Sequence, residues 1–281
     1  MRGEPEEKAH GRCPPLFEPS ALSKAPRGIL SDIDDTLTWG GRLIPEAFQA
    51  LSELQQAGYL VIPVTGRPAA WADQIARTWP VDGVVAENGG LWSYPSRGRL
   101  ITEFAQPPAL RRENRRRLDA LAEEILREVP GCALASDQPY RALDLAIDFC
   151  EDVPPLSEEA ISLILRLFQE AGARAKRSSI HVNGWFGSWD KLGGTQRLVE
   201  VLTGEPFQPE EWLFFGDSAN DEPMFAALSY GIGVANIRGA LPQMRAHPRW
   251  LTEARGGWGF AEAARALLER FPRAPASLGA P

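Results

Sequence analysis

Cysteine is scarce: there are three in 281 residues, at positions 13, 132 and 150, and no two are spaced as metal ligands are. An odd count in a chain of this length excludes a disulfide framework, and a reducing, cytoplasmic setting is the expectation. Long apolar runs are missing as well. None reaches the ~20 residues of a membrane span, and the N-terminus MRGEPEEKAHGRCPP carries acids and prolines where a secretory signal has its apolar segment. No membrane partner is therefore expected. Positive charge is in deficit, since 30 Lys and Arg against 37 Asp and Glu leave −7. Such a field repels a polyanion, so nucleic acid is not an expected partner, and any phosphate-bearing ligand must be held by local groups.

What is present is ordinary globular material, 44% hydrophobic and 24% charged, which excludes disorder, collagen and coiled coil. Residues 1–26 are polar, proline-punctuated and aperiodic, and 273–281 read the same way, so both are expected to be flexible ends. Between them an apolar run at 28–31 is followed by a helical pattern at 45–57. A run at 59–64, a helical pattern at 69–78 and a run at 81–86 complete the alternation. This rhythm predicts a parallel sheet with crossover helices. It then changes: runs at 91–94 and 100–104 precede a long polar helix at 109–129, strand-like runs, a helix at 157–171 and the segment SSIHVNGWFG. The first rhythm resumes after Lys191. The expectation is an α/β fold, a doubly wound, Rossmann-like core over 27–90 and 185–272 with an inserted α/β cap over 91–184.

The first strand runs into Ser31-Asp32-Ile33-Asp34-Asp35-Thr36, and carboxyl ends of strands are where ligands bind in an open parallel sheet. Acids gathered there are costly unless a positive charge sits among them. A hard divalent cation such as Mg2+ suits them, because it takes one or two carboxylates together with substrate phosphate oxygens. The second strand ends at Thr65-Gly66-Arg67, where a hydroxyl and backbone amides can meet a phosphate oxygen. A later strand ends in Gly216-Asp217-Ser218-Ala219-Asn220-Asp221, which places Asp217 and Asp221 across a strand-to-helix turn, able to face one cation directly or through water.

In combination, Asp32, Asp34 and Thr36, then Thr65, Lys191 and Asp217 with Asp221, each at a strand or helix end and in that order, resemble the haloacid dehalogenase-like hydrolase superfamily. The resemblance spans residues 28–271, and GDSANDEPM is its strongest element. It points to the branch with an α/β cap after the third core strand, which includes mannosyl-3-phosphoglycerate and sucrose phosphatases. The connection from Thr36 to Pro45 is too short for an earlier cap.

By matched position the resemblance implies Asp32 as nucleophile, forming an aspartyl-phosphate, and Asp34 as acid and base. It implies Thr65 and Lys191 as the groups that hold phosphoryl oxygens. The metal set it implies is Asp32, the Asp34 backbone carbonyl, Asp217 and Asp221, with Asn220 assisting Lys191 or the phosphate. Leu192 follows the lysine where glycine is commoner, so the lysine's register rests on less than that of the aspartates. The implied reaction is magnesium-dependent hydrolysis of a small phosphorylated sugar or related metabolite. Phosphoryl transfer to a second hydroxyl, or binding without turnover, stand as alternatives.

Substrate choice is expected from the cap, together with Thr36, Gly66 and Arg67. Alternation puts Ser179, His181 and Asn183 opposite Ile180 and Val182, and this polar face either lines the cavity or meets water. Asp144 and Asp148 lie likewise opposite Leu145, Ile147 and Phe149. With Arg141 they offer sugar-hydroxyl and anion partners, or form a solvated face. Glu87-Asn88-Gly89-Gly90 either touches substrate or is a hinge turn. Trp185 and Trp189 either pack in the core or hinge or stack on a sugar ring, and the basic run 111–117 is read as solvated helix surface over a polyanion site.

Overall fold

The computed structural model describes residues 13–178 and 180–273; the expected flexible segments at 1–12 and 274–281, and Ser179, lie outside the described residues. Strand β1 (Gly28–Ser31) leads through a small hairpin, β2 (Thr38–Trp39) and β3 (Arg42–Leu43), to helix α1 (Pro45–Gln56). Next come β4 (Leu60–Pro63), α2 (Ala69–Thr78), β5 (Val84–Ala86), and a hairpin of β6 (Leu91–Ser96) and β7 (Arg99–Phe104). The inserted layer is α3 (Pro108–Glu128), β8 (Ala133–Leu134), β9 (Leu145–Asp148), α4 (Glu158–Glu170), β10 (Arg174–Arg177) and β11 (His181–Trp185). The chain closes with α5 (Lys191–Thr203), β12 (Trp212–Gly216), α6 (Glu222–Ala227), β13 (Tyr230–Gly233), β14 (Trp250–Leu251) and α7 (Gly256–Arg270).

The core sheet has the order β14-β13-β12-β1-β4, every pair parallel. A parallel bridge from Val64 to Val85 continues it to β5, from which β6 and β7 run antiparallel. Its strands are apolar on both sides because both sides are covered. Ile29, Val61 and Leu213 pack with α1, α2 and α7, while Leu30, Ile62 and Phe214 pack with α5 and α6. β12 and β4 flank β1, so the order of the sheet reverses at β1 and a crevice opens above the carboxyl ends of these three strands.

The cap is an antiparallel sheet of order β10-β11-β9-β8. Leu145, Ile147 and Val182 face α3 and α4, where they pack with Leu118, Ile125, Ile164 and Phe168. The period of two leaves Asp144, Ala146, Asp148, His181 and Asn183 on the opposite face, all buried.

Three expectations need correction. The β6–β7 hairpin belongs to the core and not to the cap: Leu91 and Trp92 are part of the core clusters, and β6 packs against α2 and α5. The cap sheet therefore begins after Phe104. Residues 13–26 are not loose throughout, because Leu22 is fully buried and the Pro15 to Phe17 stretch bonds to Leu251 in β14. At the other end Arg273 donates to the carbonyls of Gly58 and Pro26, at 3.0 and 2.8 Å. Trp185 and Trp189 stack on each other, centroids 6.2 Å apart, within the core cluster as packing residues.

Candidate active site

Every strand that ends in the crevice delivers chemistry to it. Asp32 follows β1, and its backbone N–H still donates to Phe215, so the sheet fixes its place. Lys191 is the first residue of α5, after the N-cap Asp190, whose side chain accepts from Gly193. That cap aims the lysine inward. Its Nζ donates to Asp32 Oδ1 at 2.6 Å and to Asp221 Oδ1 at 2.7 Å, with all three residues buried. Burial lowers a lysine's proton affinity, but the Asp221 and Asp32 carboxylates outweigh it and hold this one charged.

Carboxylate oxygens of Asp32, Asp217 and Asp221 lie within 4.8 Å of one another. Burial pushes the Asp32 carboxyl up to about 8 against the pull of Lys191, with Asp221 and Asp34 adding to the rise. Burial, then Asp221 and Asp32, likewise carry Asp217 well above the ordinary range. Three carboxylates around a single ammonium carry an excess of negative charge, and oxygen donors in that number are what a hard divalent cation takes. The residues thus fit Mg2+. Their oxygens are not equally free. Asp221 spends Oδ1 on Lys191 and Oδ2 on the N–H of Asp217, at 3.0 Å, closing a capping box with Ser218. Among the described residues, Asp217 accepts from Asn236 alone, at 3.2 Å. Asp217 and Asp32 are the better direct ligands, with Asp221 behind them.

The Asp34 carboxylate lies outside this cluster, facing Arg67. Arg67 Nε donates to both its oxygens at 3.0 Å, and Nη2 to Oδ1 at 2.8 Å. Of the metal set, then, Asp34 has only its backbone carbonyl to offer. Thr65 and Thr36 are completely buried; Thr65 Oγ1 accepts from the Arg67 N–H, and Thr36 Oγ1 has no partner. Beside them Asn88 sits in the left-handed region at φ +54°, its N–H bonded to the Thr65 carbonyl and its buried Nδ2 unpartnered. Its Oδ1 is 3.5 Å from Asn220 Nδ2. A strained residue that presents an unused donor beside Gly66 is arranged for an acceptor it does not find among the described residues.

The cap completes the cleft with Arg141, Ser178, Ile180, His181 and Asn183, above Asp32, Asp34, Gly66, Arg67, Asp217 and Asn220. His181 and Asn183 of the expected polar face line this cleft, and so does Ile180, which alternation had put on the opposite face. Arg141 donates to the Gly66 carbonyl at 2.9 Å, tying cap to core. For Asp144 and Asp148 neither reading holds. Asp144 is fully buried with its oxygens taken by Arg141 and Asn183, each at 3.1 Å, and it does not line the cleft. Asp148 accepts from the N–H groups of Cys150, Glu151 and Asp152 and shapes that loop. Alternation named their face correctly but not what meets it. Glu87 is a clasp: its carboxylate accepts from Ala69 in the core and from Ala142, Leu143 and Asp144 in the cap, at 2.6–3.1 Å. Asp137 and Glu151, in loops, and Asn236, in a short 3-10 helix (Ala235–Gly239), also border the site; none carries a periodic signal and none was picked out from sequence.

The free volume of the cleft is about 30 Å3, small against the roughly 300–1,000 Å3 of ordinary ligand pockets. An adjoining cavity of about 440 Å3 shares Asn220 with it and is lined by Arg174, Lys176, Trp185 and Lys191. Cap and core thus leave little free space between them above Asp32 and Asp34.

The family described as haloacid dehalogenase-like hydrolase matches residues 29–108, which carry Asp32, Asp34, Thr65 and Glu87. The chain is 28% identical over 244 residues to a phosphoglycolate phosphatase of Methanothermobacter thermautotrophicus, covering 86% of this chain and 99% of that one. In fold it is similar to a Thermoplasma acidophilum protein, with a TM-score of 0.68 at 17% identity, covering 87% of this chain and 99% of that one. It also resembles the sucrose-phosphatase of Synechocystis sp. PCC6803, solved with sucrose and phosphate, with a TM-score of 0.62 at 18% identity over 87% of this chain and 98% of the other.

Proposed function

We propose that the protein is a magnesium-dependent phosphatase of small phosphorylated metabolites that works through an aspartyl-phosphate on Asp32. The observation that carries this reading is the joint placement of Asp32, Asp217 and Asp221 around Lys191, with Asp34 held separately on Arg67. One carboxylate is thus committed to charge and metal, another to proton traffic.

An Asp32 oxygen attacks phosphorus while the ester P–O bond breaks, and Asp34 gives its proton to the departing oxygen. Asp34 then takes a proton from the water that attacks the phospho-enzyme, and inorganic phosphate leaves as Asp32 is regenerated. Lys191 offsets charge on the phosphoryl oxygens, and Asn88 Nδ2 with the 65–67 backbone supplies donors to them. Asp32, Asp217 and the Asp34 carbonyl would hold Mg2+, which would supply the positive charge that lets these carboxylates stay ionised beside a phosphate. The narrow cleft favours a small leaving group. The phosphoglycolate named for the relative belongs to that class.

The test is phosphate release from phosphoglycolate, sugar phosphates and p-nitrophenyl phosphate, with Mg2+ or with chelator, by the wild-type chain and by Asp32→Asn. Metal-dependent release that disappears in the variant is the expected result. Release that survives in Asp32→Asn would remove the nucleophile, and release from no ester would remove the phosphatase reading.

A further inference from the structure

The guanidinium that grips Asp34 is itself gripped from the cap. Arg67 is 7% exposed and stacks over Trp71 at 4.6 Å, with one edge turned to Asp34. Two cap acids also face it: Nη1 lies 3.6 Å from Asp137 Oδ2, and Nη2, which donates to Asp34, lies 3.5 Å from Glu151 Oε1. Asp137 is already committed, both oxygens bonded to Arg141 at 2.9 and 3.0 Å. Glu151 is not. Its other oxygen is 2.8 Å from His181 Nε2. Contact with His181, opposed by burial and aided by Arg67, holds the Glu151 carboxyl below its ordinary range, so the charge that faces Arg67 persists.

The position of Glu151 is built. The loop that carries it is folded around the Asp148 carboxylate, which accepts three successive backbone N–H groups at 2.8–2.9 Å. A buried acid is thus spent on holding one loop in the shape that points Glu151 across the domain boundary.

We infer that Glu151 is a positioning residue for the acid carboxyl, acting through Arg67, so that Asp34 is fully oriented only when the cap is docked. The inference rests on the phosphatase reading and deepens it. An arginine held only by Asp34 swings with it; one pinned by the cap as well fixes the carboxyl against the leaving oxygen. In the step concerned the Asp32 oxygen bonds to phosphorus, the P–O electron pair passes to the ester oxygen, and that oxygen takes the proton of Asp34. A poor leaving group needs that proton, whereas p-nitrophenolate leaves without it.

The experiment compares kcat/KM for phenyl phosphate and p-nitrophenyl phosphate, which are alike in shape, in the wild-type chain with Mg2+ and in Glu151→Gln. General acid catalysis contributes roughly 100- to 10,000-fold, so imperfect placement should cost phenyl phosphate about tenfold or more while p-nitrophenyl phosphate changes little. In an Arg67→Gln background the same substitution should add no further selective loss. Equal loss for the two esters, no loss for either, or a selective loss that persists without Arg67 overturns the inference. If the wild-type chain releases phosphate from neither ester, the phosphatase reading falls and takes this inference with it.

Discussion

A lysine with 3% of its surface exposed, set between carboxylates at 2.6 and 2.7 Å, has no water to replace either partner. Lys191→Met would leave Asp32 and Asp221 buried and repelling each other. Removing one member of a buried ionic group costs about 3–5 kcal/mol, and losing one transition-state donor roughly 100- to 1,000-fold in rate. Urea unfolding without metal and phosphate release with it should show losses on both scales; a variant as stable as wild type would mean the acids are protonated and the lysine is not balancing them. Asp32, Asp34, Asp217 and Asp221 were legible in the sequence because several acids at the ends of apolar strands have no packing role. Asp137 and Glu151 were not, since an acid in a loop carries no pattern and its partner Arg67 is brought to it only by the fold. Asp144 and Asp148 show the limit of alternation, which assigns a side chain to a face without saying whether an arginine or a loop's N–H groups wait there.

The two junctions between core and cap depend on backbone that only certain residues allow. Gly89 has φ +95°, and a Cβ there would fall 1.9 Å from the Asp190 carbonyl oxygen, at the N-cap of the helix that presents Lys191. Gly89→Ala should therefore lower unfolding free energy by about 2–5 kcal/mol and displace the lysine, so that activity at low temperature falls in the folded fraction as well. Glu87 answers four N–H donors with two oxygens. In Glu87→Gln the amide nitrogen faces donors and leaves some of them unsatisfied, at about 1–3 kcal/mol each. Burial, with the Asp144 charge adding, pushes the Glu87 carboxyl up to about 7. An acid whose affinity for its proton rises on folding contributes most below its ordinary value and loses that contribution as pH climbs to 7. Denaturant unfolding at pH 5 and pH 8 should show that decline in the wild type and a flatter dependence in Glu87→Gln; equal slopes would argue that Glu87 stays ionised throughout. The alternation of strands and helices was readable, as apolar periodicity goes. The start of α7 was not, because Gly256, Gly257 and Gly259 look like a loop, yet Gly257 is there because the chain passes within 2.4 Å of where its Cβ would meet the Leu37 carbonyl. The β6–β7 hairpin was assigned to the cap for a related reason: chain order places it after the third strand, and only packing against α2 and α5 returns it to the core.

In the whole molecule, which carries 37 acids against 30 bases, Asp32, Asp217 and Asp221 lie together where a compensating cation would fit. Burial raises the Asp32 carboxyl to about 8 and lifts Asp217 in the same direction, so without metal the folded chain holds protons that the unfolded chain has released. The sign follows: the metal-free protein should lose stability as pH rises from the ordinary carboxylate range towards 8. Mg2+ competes with those protons, and its affinity should rise over the same interval. A ligand that binds only the folded state at 100 times its Kd adds about 2.7 kcal/mol. Thermal unfolding with and without Mg2+ should therefore show an increase in midpoint that is larger at pH 8 than at pH 6, and that is lost in Asp217→Asn. The variant itself, with one buried carboxylate fewer, should be more stable than the wild type when no metal is present. An increase that shrinks with pH, or that survives in Asp217→Asn, would place the cation away from the three carboxylates and leave their buried charge without the partner on which the proposed chemistry depends.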